Sequence, residues 1–134
     1  MRVLIAEDSH IIALRTREIL GDLSGVEQVA VVSSEEEAVA ALVKSSPDLL
    51  VLDLRLSQGS GFGVLRTMQR SEAPITIVLS NFSDAVSRSR AIDLGADAFF
   101  DKSTEFDDLV SFVKLVASRY GSSTVGQKPA VKEV

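Results

Sequence analysis

Glu7, Asp8, Asp53, Ser80 and Lys102 share one feature, which is that each stands at or just past the end of a short apolar run. Val3-Leu4-Ile5-Ala6 ends in Glu7-Asp8, and Leu49-Leu50-Val51-Leu52 ends in Asp53. Ile75-Thr76-Ile77-Val78-Leu79 ends in Ser80-Asn81, and Ala96 to Phe100 ends in Asp101-Lys102. Such runs, bounded by turn residues, read as strands buried on both faces. An unpaired charge inside a buried strand is costly, so each polar residue belongs at its strand's carboxyl end, facing an opening. Close carboxylates repel one another unless a cation is present. An oxygen-only ligand set suits a hard divalent ion such as Mg²⁺. A carboxylate can also attack phosphorus and carry an aspartyl-phosphate. Phosphoryl transfer needs in-line positioning and cations around the phosphoryl oxygens. Lys102 and the Ser80 hydroxyl can serve those oxygens, so the set can place a phosphoryl group on Asp53.

The elements that must deliver these residues alternate. After the first strand, Ser9 can cap a helix with Ile12, Ile19, Leu20 and Leu23 on one face; Gly21 and Gly25 bracket its end. Val29 to Val32 reads as the second strand. Ser34 and Glu37 have capping-box spacing and open a second helix, with Ala38, Val39, Ala41 and Leu42 on its apolar side. Leu49 to Asp53 is the third strand. A Gly/Ser-rich loop, Ser57 to Gly61, leads to a helix with Phe62, Leu65 and Met68 at helical spacing. After the fourth strand, Ser83 or Asp84 caps a fourth helix that runs to about Leu94, where Gly95 is a helix stop. Ser103 or Thr104 caps the last helix, whose Leu109, Phe112, Val113 and Val116 are regularly spaced. Five strands alternating with five helices imply an α/β fold: a parallel sheet with right-handed crossovers and helices on both faces. All strand carboxyl ends then share one edge, where open α/β sheets build their sites. On this reading residues 1–120 form one domain, and the aperiodic stretch 121–134 is a flexible tail.

Composition removes several alternatives. The chain has 134 residues, no cysteine and a single histidine. Thiolate chemistry, disulfides and multi-histidine metal sites are therefore excluded within one chain. A net charge of −5 argues against a general electrostatic grip on nucleic acid or anionic membrane. No apolar run is long enough to span a bilayer, and the N-terminus lacks secretory-signal form, so a cytoplasmic protein without membrane insertion is expected. Gly59-Ser60-Gly61-Phe62-Gly63 superficially suggests a nucleotide loop, but it has neither dinucleotide spacing nor a P-loop lysine. Turn and helix-entry roles suffice for it. His10 is expected to be an exposed first-turn residue, and Arg88 and Arg90 to be solvated.

The acid pair after strand one, Asp53 after strand three, Ser80 after strand four and Lys102 after strand five together resemble a response-regulator receiver domain of two-component signalling. The resemblance covers roughly residues 1–120. It implies a flavodoxin-like, doubly wound five-stranded parallel sheet of order 2-1-3-4-5. It implies that Asp53 is the phosphoacceptor, Asp8 a direct Mg²⁺ ligand, Glu7 an acid acting through water, and the Arg55 backbone carbonyl a further metal ligand. Ser80 becomes the switch hydroxyl, Lys102 the partner of a phosphoryl oxygen, and Phe99 the rotating aromatic. The implied function is Mg²⁺-dependent phosphorylation from a sensor histidine kinase or phosphotransfer protein. The helix 4–strand 5–helix 5 face would then change its binding of a downstream target protein or serve a phosphorelay. Such a chain is a switch, not an enzyme acting on an external substrate. An Asp-nucleophile phosphohydrolase would place a second acid two residues past the nucleophile, where this chain has Arg55. The alternative is the receiver half of a helix-turn-helix DNA-binding transcriptional regulator. Three departures from the family pattern carry expectations. Glu7 replaces the commoner Asp. Ser57 and Gly59 suggest a looser loop beyond Asp53. Ser103 follows Lys102 where proline is common, so a trans bond is expected there.

Overall fold

Strand β3 (Leu49–Leu52) is apolar at every position and buried at every position. Alternate side chains of a strand point to opposite faces. Leu49 and Val51 therefore enter one core and Leu50 and Leu52 the other. The remaining strands are β1 (Arg2–Ala6), β2 (Gln28–Val32), β4 (Ile75–Ser80) and β5 (Ala98–Asp101). Every paired strand is parallel, and the order is β2-β1-β3-β4-β5, as expected. This is a computed structural model, and it describes residues 1–68 and 74–120. The expected tail from Gly121 lies outside the described residues.

Helices α1 (His10–Gly21) and α5 (Phe106–Tyr120) cover one face, packing Leu20, Leu109, Phe112, Val113 and Val116 against Val3, Ile5 and Ile77. Helices α2 (Glu35–Ser45), α3 (Gly61–Thr67) and α4 (Ala85–Asp93) cover the other, with Ala38, Val64, Leu65 and Ala91 against Leu4, Leu52 and Val78. The caps follow the sequence. The Ser9 hydroxyl accepts from the Ile12 N–H, Ser34 from Glu37, Ser60 from Gly63, and the Asp84 carboxylate from Ser87. The Glu37 carboxylate reaches the Ser33 N–H (3.1 Å), one residue before the usual capping-box partner.

Two boundaries and one helix face differ from expectation. Strand β5 starts at Ala98, because the Ala96 N–H still bonds the Ala91 carbonyl at the end of α4. Helix α5 starts at Phe106, and neither Ser103 nor Thr104 caps it. Asp101 Oδ1 accepts both of their N–H groups and forms a turn, so the first helical bond runs from Leu109 N–H to the Glu105 carbonyl. In α3, Val64 and Leu65 are the buried apolar side chains, while Phe62 and Met68 are only partly buried.

Gly61 explains why α3 can press against the end of β3. A Cβ there would collide with the Asp53 carbonyl oxygen and lie 2.9 Å from the Leu54 Cα. Backbone cannot swing aside as a flexible side chain can. Gly61→Ala is therefore expected to destabilise the protein by about 1–3 kcal/mol, as overpacking does, measured as a lower urea midpoint with unchanged slope.

Candidate acidic phosphoacceptor site

The parallel register brings the strand ends to one edge. The Asp53 N–H donates to the Ala6 carbonyl, and the Lys102 N–H donates to the Ser80 carbonyl. These bonds lock Asp53 beside Glu7 and Lys102 beside Ser80. Glu7 and Asp53 are buried, each with 4 % exposure, and Ser80 is fully buried. Asp8 is exposed. One carboxylate oxygen from each of Glu7, Asp8 and Asp53 lies within 4.8 Å of the others.

Lys102 enters this acidic cluster. Its Nζ lies 2.6 Å from Asp53 Oδ2 and 2.5 Å from Glu7 Oε1. Burial opposes the Lys102 ammonium, but its hydrogen bonds to Asp53 and then Glu7 outweigh burial together and raise its pKa. Burial is also the largest influence on Glu7 and pushes its carboxyl up to about 7, against the lowering effects of the Lys102 bond and the Ser9 N–H. The other Asp53 oxygen, Oδ1, accepts the Arg55 N–H at 3.2 Å. The Ser80 hydroxyl oxygen accepts the Phe82 N–H at 3.1 Å, which orients it at the end of β4. The oxygen-only donor set, with a bridging ammonium already drawn to it, fits a hard divalent cation such as Mg²⁺.

Acids at the opposite sheet edge behave differently. Asp48 accepts the Arg2 N–H (2.7 Å), and Asp97 accepts the Thr76 N–H (2.8 Å). They satisfy backbone donors where strands begin.

Phe99 and Phe100 face opposite cores, as strand alternation requires. Phe100 meets Phe112 edge-on at 5.9 Å. Phe99 is buried with the Arg88 guanidinium 4.8 Å from its ring centroid. Arg88 is fixed there by the Ser83 carbonyl (2.8 Å) and the Glu105 carboxylate (2.6 Å). The same Glu105 oxygen accepts the Asp101 N–H, and the Ser83 hydroxyl donates a short bond to Asp101. The expectation of a solvated arginine is thus corrected for Arg88, while Arg90 is exposed as expected. Arg88 is half-buried against Phe99, and the exposed Arg90 guanidinium stands 4.1 Å from the Phe62 ring centroid; in both contacts the ring offers its negative face. The Arg88–Glu105 pair joins elements 17 residues apart, and no local spacing announces it.

His10 is exposed, as expected. Arg55 lies 6.0 Å from the centroid of the Phe82 ring, and Asn81 accepts the Ser103 hydroxyl. The Lys102–Ser103 peptide is trans. The loop beyond Asp53 is not loose in the way its Ser57 and Gly59 suggested. Ser57 donates both its N–H and its hydroxyl to the Ser33 carbonyl, at 2.9 and 2.8 Å. These bonds stitch the loop to the segment between β2 and α2.

A flavodoxin-like sheet with an acidic pocket, a hydroxyl and a bridging lysine at its carboxyl edge defines an α/β protein built to handle a phosphoryl group at that edge. The chain matches the response regulator receiver domain family over residues 3–114, and it belongs to that family. It is a receiver domain of two-component signalling, a class that binds Mg²⁺ through acidic residues and meets histidine kinases and downstream effectors. The chain is 31 % identical over 123 residues to the transcriptional regulatory protein PdtaR of Mycobacterium tuberculosis (strain CDC 1551 / Oshkosh), covering 92 % of this chain and 60 % of that protein. It is 32 % identical over 124 residues to protein-glutamate methylesterase/protein-glutamine glutaminase 2 of Anaeromyxobacter dehalogenans (strain 2CP-C), covering 89 % of this chain and 35 % of that protein. The chain thus spans between about a third and three fifths of these relatives. Its fold matches the signal receiver domain of a DNA binding response regulator protein (merR) from Colwellia psychrerythraea 34H, with TM-score 0.80 and 23 % identity over 88 % of this chain and 98 % of that one. Among the described residues no helix is long and apolar enough to cross a membrane.

Proposed function

We propose that this receiver takes a phosphoryl group onto Asp53 from the phosphohistidine of a sensor kinase or phosphotransfer protein. An Asp53 carboxylate oxygen attacks phosphorus, the P–N bond breaks, and the imidazole leaves with the bonding electron pair. The observation that carries this reading is the placement of Lys102 Nζ within 2.6 Å of Asp53 Oδ2 at the buried sheet edge. Asp8, Asp53 and the Arg55 carbonyl would hold Mg²⁺ directly and Glu7 through water. When bound, the ion would neutralise charge on the phosphoryl oxygens. Lys102 pairs with a phosphoryl oxygen, and the Ser80 hydroxyl, held at the end of β4, donates to another. Pulling Ser80 inward frees space beside Phe99 and biases the α4–β5–α5 face between two arrangements. Arg88 and Glu105 hold Phe99 in one of them. That face then meets the downstream target or the next relay protein. Arg55 and Asn81, flanking the acceptor and the switch hydroxyl, tune the lifetime of the acyl phosphate. The working unit is residues 1–120, acting in the cytoplasm as a switch without an external substrate. The relative named as a methylesterase suggests no esterase role here, because the matched segment is its receiver-like third.

Incubation with phosphoramidate is expected to label the protein only with Mg²⁺ present, and EDTA is expected to abolish labelling. Equal labelling in EDTA would contradict the assignment of the acids as the metal site.

A further inference from the structure

The glycine-rich stretch Gly59 to Gly63 has a purpose that turn formation does not cover. It is moulded around the side chain of Glu35, the first residue of α2. Glu35 Oε1 accepts the Ser60 N–H at 2.9 Å, and the Glu35 N–H donates to the Gln58 carbonyl at 2.9 Å. A Cβ on Gly63 would stand inside the Glu35 carboxylate, and one on Gly59 would stand 2.5 Å from both its Cβ and its Oε1. Gly59 also has φ +77, which side chains rarely adopt. Gly59 is thus demanded by its backbone conformation and by the Glu35 Cβ, while a side chain at Gly63 would force the half-buried Glu35 carboxylate to move. The residue that Glu35 grips is not idle. Ser60 pairs with Arg55 in an antiparallel bridge, and the Gly61 N–H donates to the Leu54 carbonyl at 2.9 Å. The Arg55 N–H in turn bonds Asp53 Oδ1. Glu35 thus holds Ser60, the adjoining Gly61 N–H holds the Leu54 carbonyl, and the Arg55 N–H that follows Leu54 bonds the acceptor carboxylate.

We infer that Glu35 is a positioning residue for the acceptor loop, holding the Arg55 backbone in place for the metal through its bond to Ser60. The inference rests on the reading of Asp53 and Arg55 given above. A carboxylate accepting a backbone N–H makes a strong, charge-assisted bond. Partners one step removed from a metal ligand typically change metal affinity when lost.

The test uses Glu35→Ala, Glu35→Gln, Gly63→Ala and the double variant Glu35→Ala/Gly63→Ala. Two readouts are taken on the unphosphorylated protein: amide hydrogen exchange at Ser60 without metal, and a Mg²⁺ titration followed by amide chemical shifts. Glu35→Ala is expected to speed Ser60 exchange and to weaken Mg²⁺ binding on the order of tenfold. Glu35→Gln keeps an acceptor oxygen and is expected to stay within about twofold of the parent. Gly63→Ala displaces the carboxylate and is expected to reproduce Glu35→Ala, while adding nothing to it in the double variant, since neighbours sharing one contact are non-additive. Faster Ser60 exchange with an unchanged Mg²⁺ midpoint would overturn the inference, because the tether would then be structural only. Additive effects of the two substitutions would overturn it as well. These outcomes are read without phosphorylation. Failure of the parent protein to take up phosphate would instead count against the function proposed above.

Discussion

Lys102→Met is expected to lower the unfolding free energy of the metal-free protein at about pH 8 by roughly 3–5 kcal/mol, the cost of removing one partner from a buried ion pair. The Lys102 ammonium is 10 % exposed and bonds two carboxylates that are 4–5 % exposed. Without it, Glu7 and Asp53 face each other with no cation. The sign follows from linkage. A lysine whose folded pKa is raised stabilises the fold fully below its unfolded value and loses that effect only as pH rises through the higher folded value. The whole contribution is therefore present at pH 8. Below about pH 7 the deficit should shrink, because Glu7, already raised to about 7 and raised further without the ammonium, can take a proton in its place. The same substitution removes a cation from the phosphoryl oxygens, so phosphorylation at saturating Mg²⁺ should slow by about 10²–10³-fold. Urea titration at both pH values and the rate of label uptake check these outcomes. A variant as stable as the parent at pH 8 would show that the bridge contributes no stability.

The second large effect is a pH dependence carried by Glu7. Its carboxyl is raised from 4.5 to about 7, chiefly by burial. A carboxyl with a raised folded pKa binds protons more tightly when folded. Metal-free stability should therefore be highest below the unfolded value and fall as pH rises from about 4.5 through about 7. A shift of that size corresponds to a loss on the order of 3 kcal/mol. Glu7→Gln retains an acceptor oxygen for Lys102 and removes the titration, so its stability should be flat across this window. Glu37, Asp84, Asp101 and Glu105 are lowered by hydrogen bonds to neighbouring hydroxyl, N–H or guanidinium groups, and they act in the opposite direction, at lower pH. The parent-minus-variant difference between pH 4.5 and 7 isolates Glu7. Thermal melts with a chelator measure it, and parallel curves for the two proteins would refute the assignment.

The strands and their polar ends were readable because β1, β3 and β4 are buried on both faces, which leaves continuous apolar runs that stop abruptly at Glu7, Asp53 and Ser80. The α5 face was readable for a similar reason, since Leu109, Phe112, Val113 and Val116 all enter one core. The α1 face was only half readable. Ala13 and Thr16 are buried beside Leu20 while Ile12 and Ile19 are half-exposed, so the buried stripe runs one position away from the large apolar residues that marked the face. The start of α5 was missed because Ser103 and Thr104 are good capping types, yet Asp101 claims both N–H groups first. Contacts between distant elements left no local trace. Nothing around Arg88 announces Glu105, and nothing around Gly63 announces Glu35. In both cases the partner comes from a distant part of the chain, just ahead of α5 or at the start of α2, and only the assembled sheet brings the two together.

The central claim is that Asp53 carries the phosphoryl group. Incubating the parent protein and Asp53→Asn with acetyl phosphate and Mg²⁺, then measuring intact mass, tests it directly. One phosphoryl adduct is expected on the parent and none on the variant. An adduct of equal yield on Asp53→Asn, or none on the parent even with its cognate kinase, would contradict it.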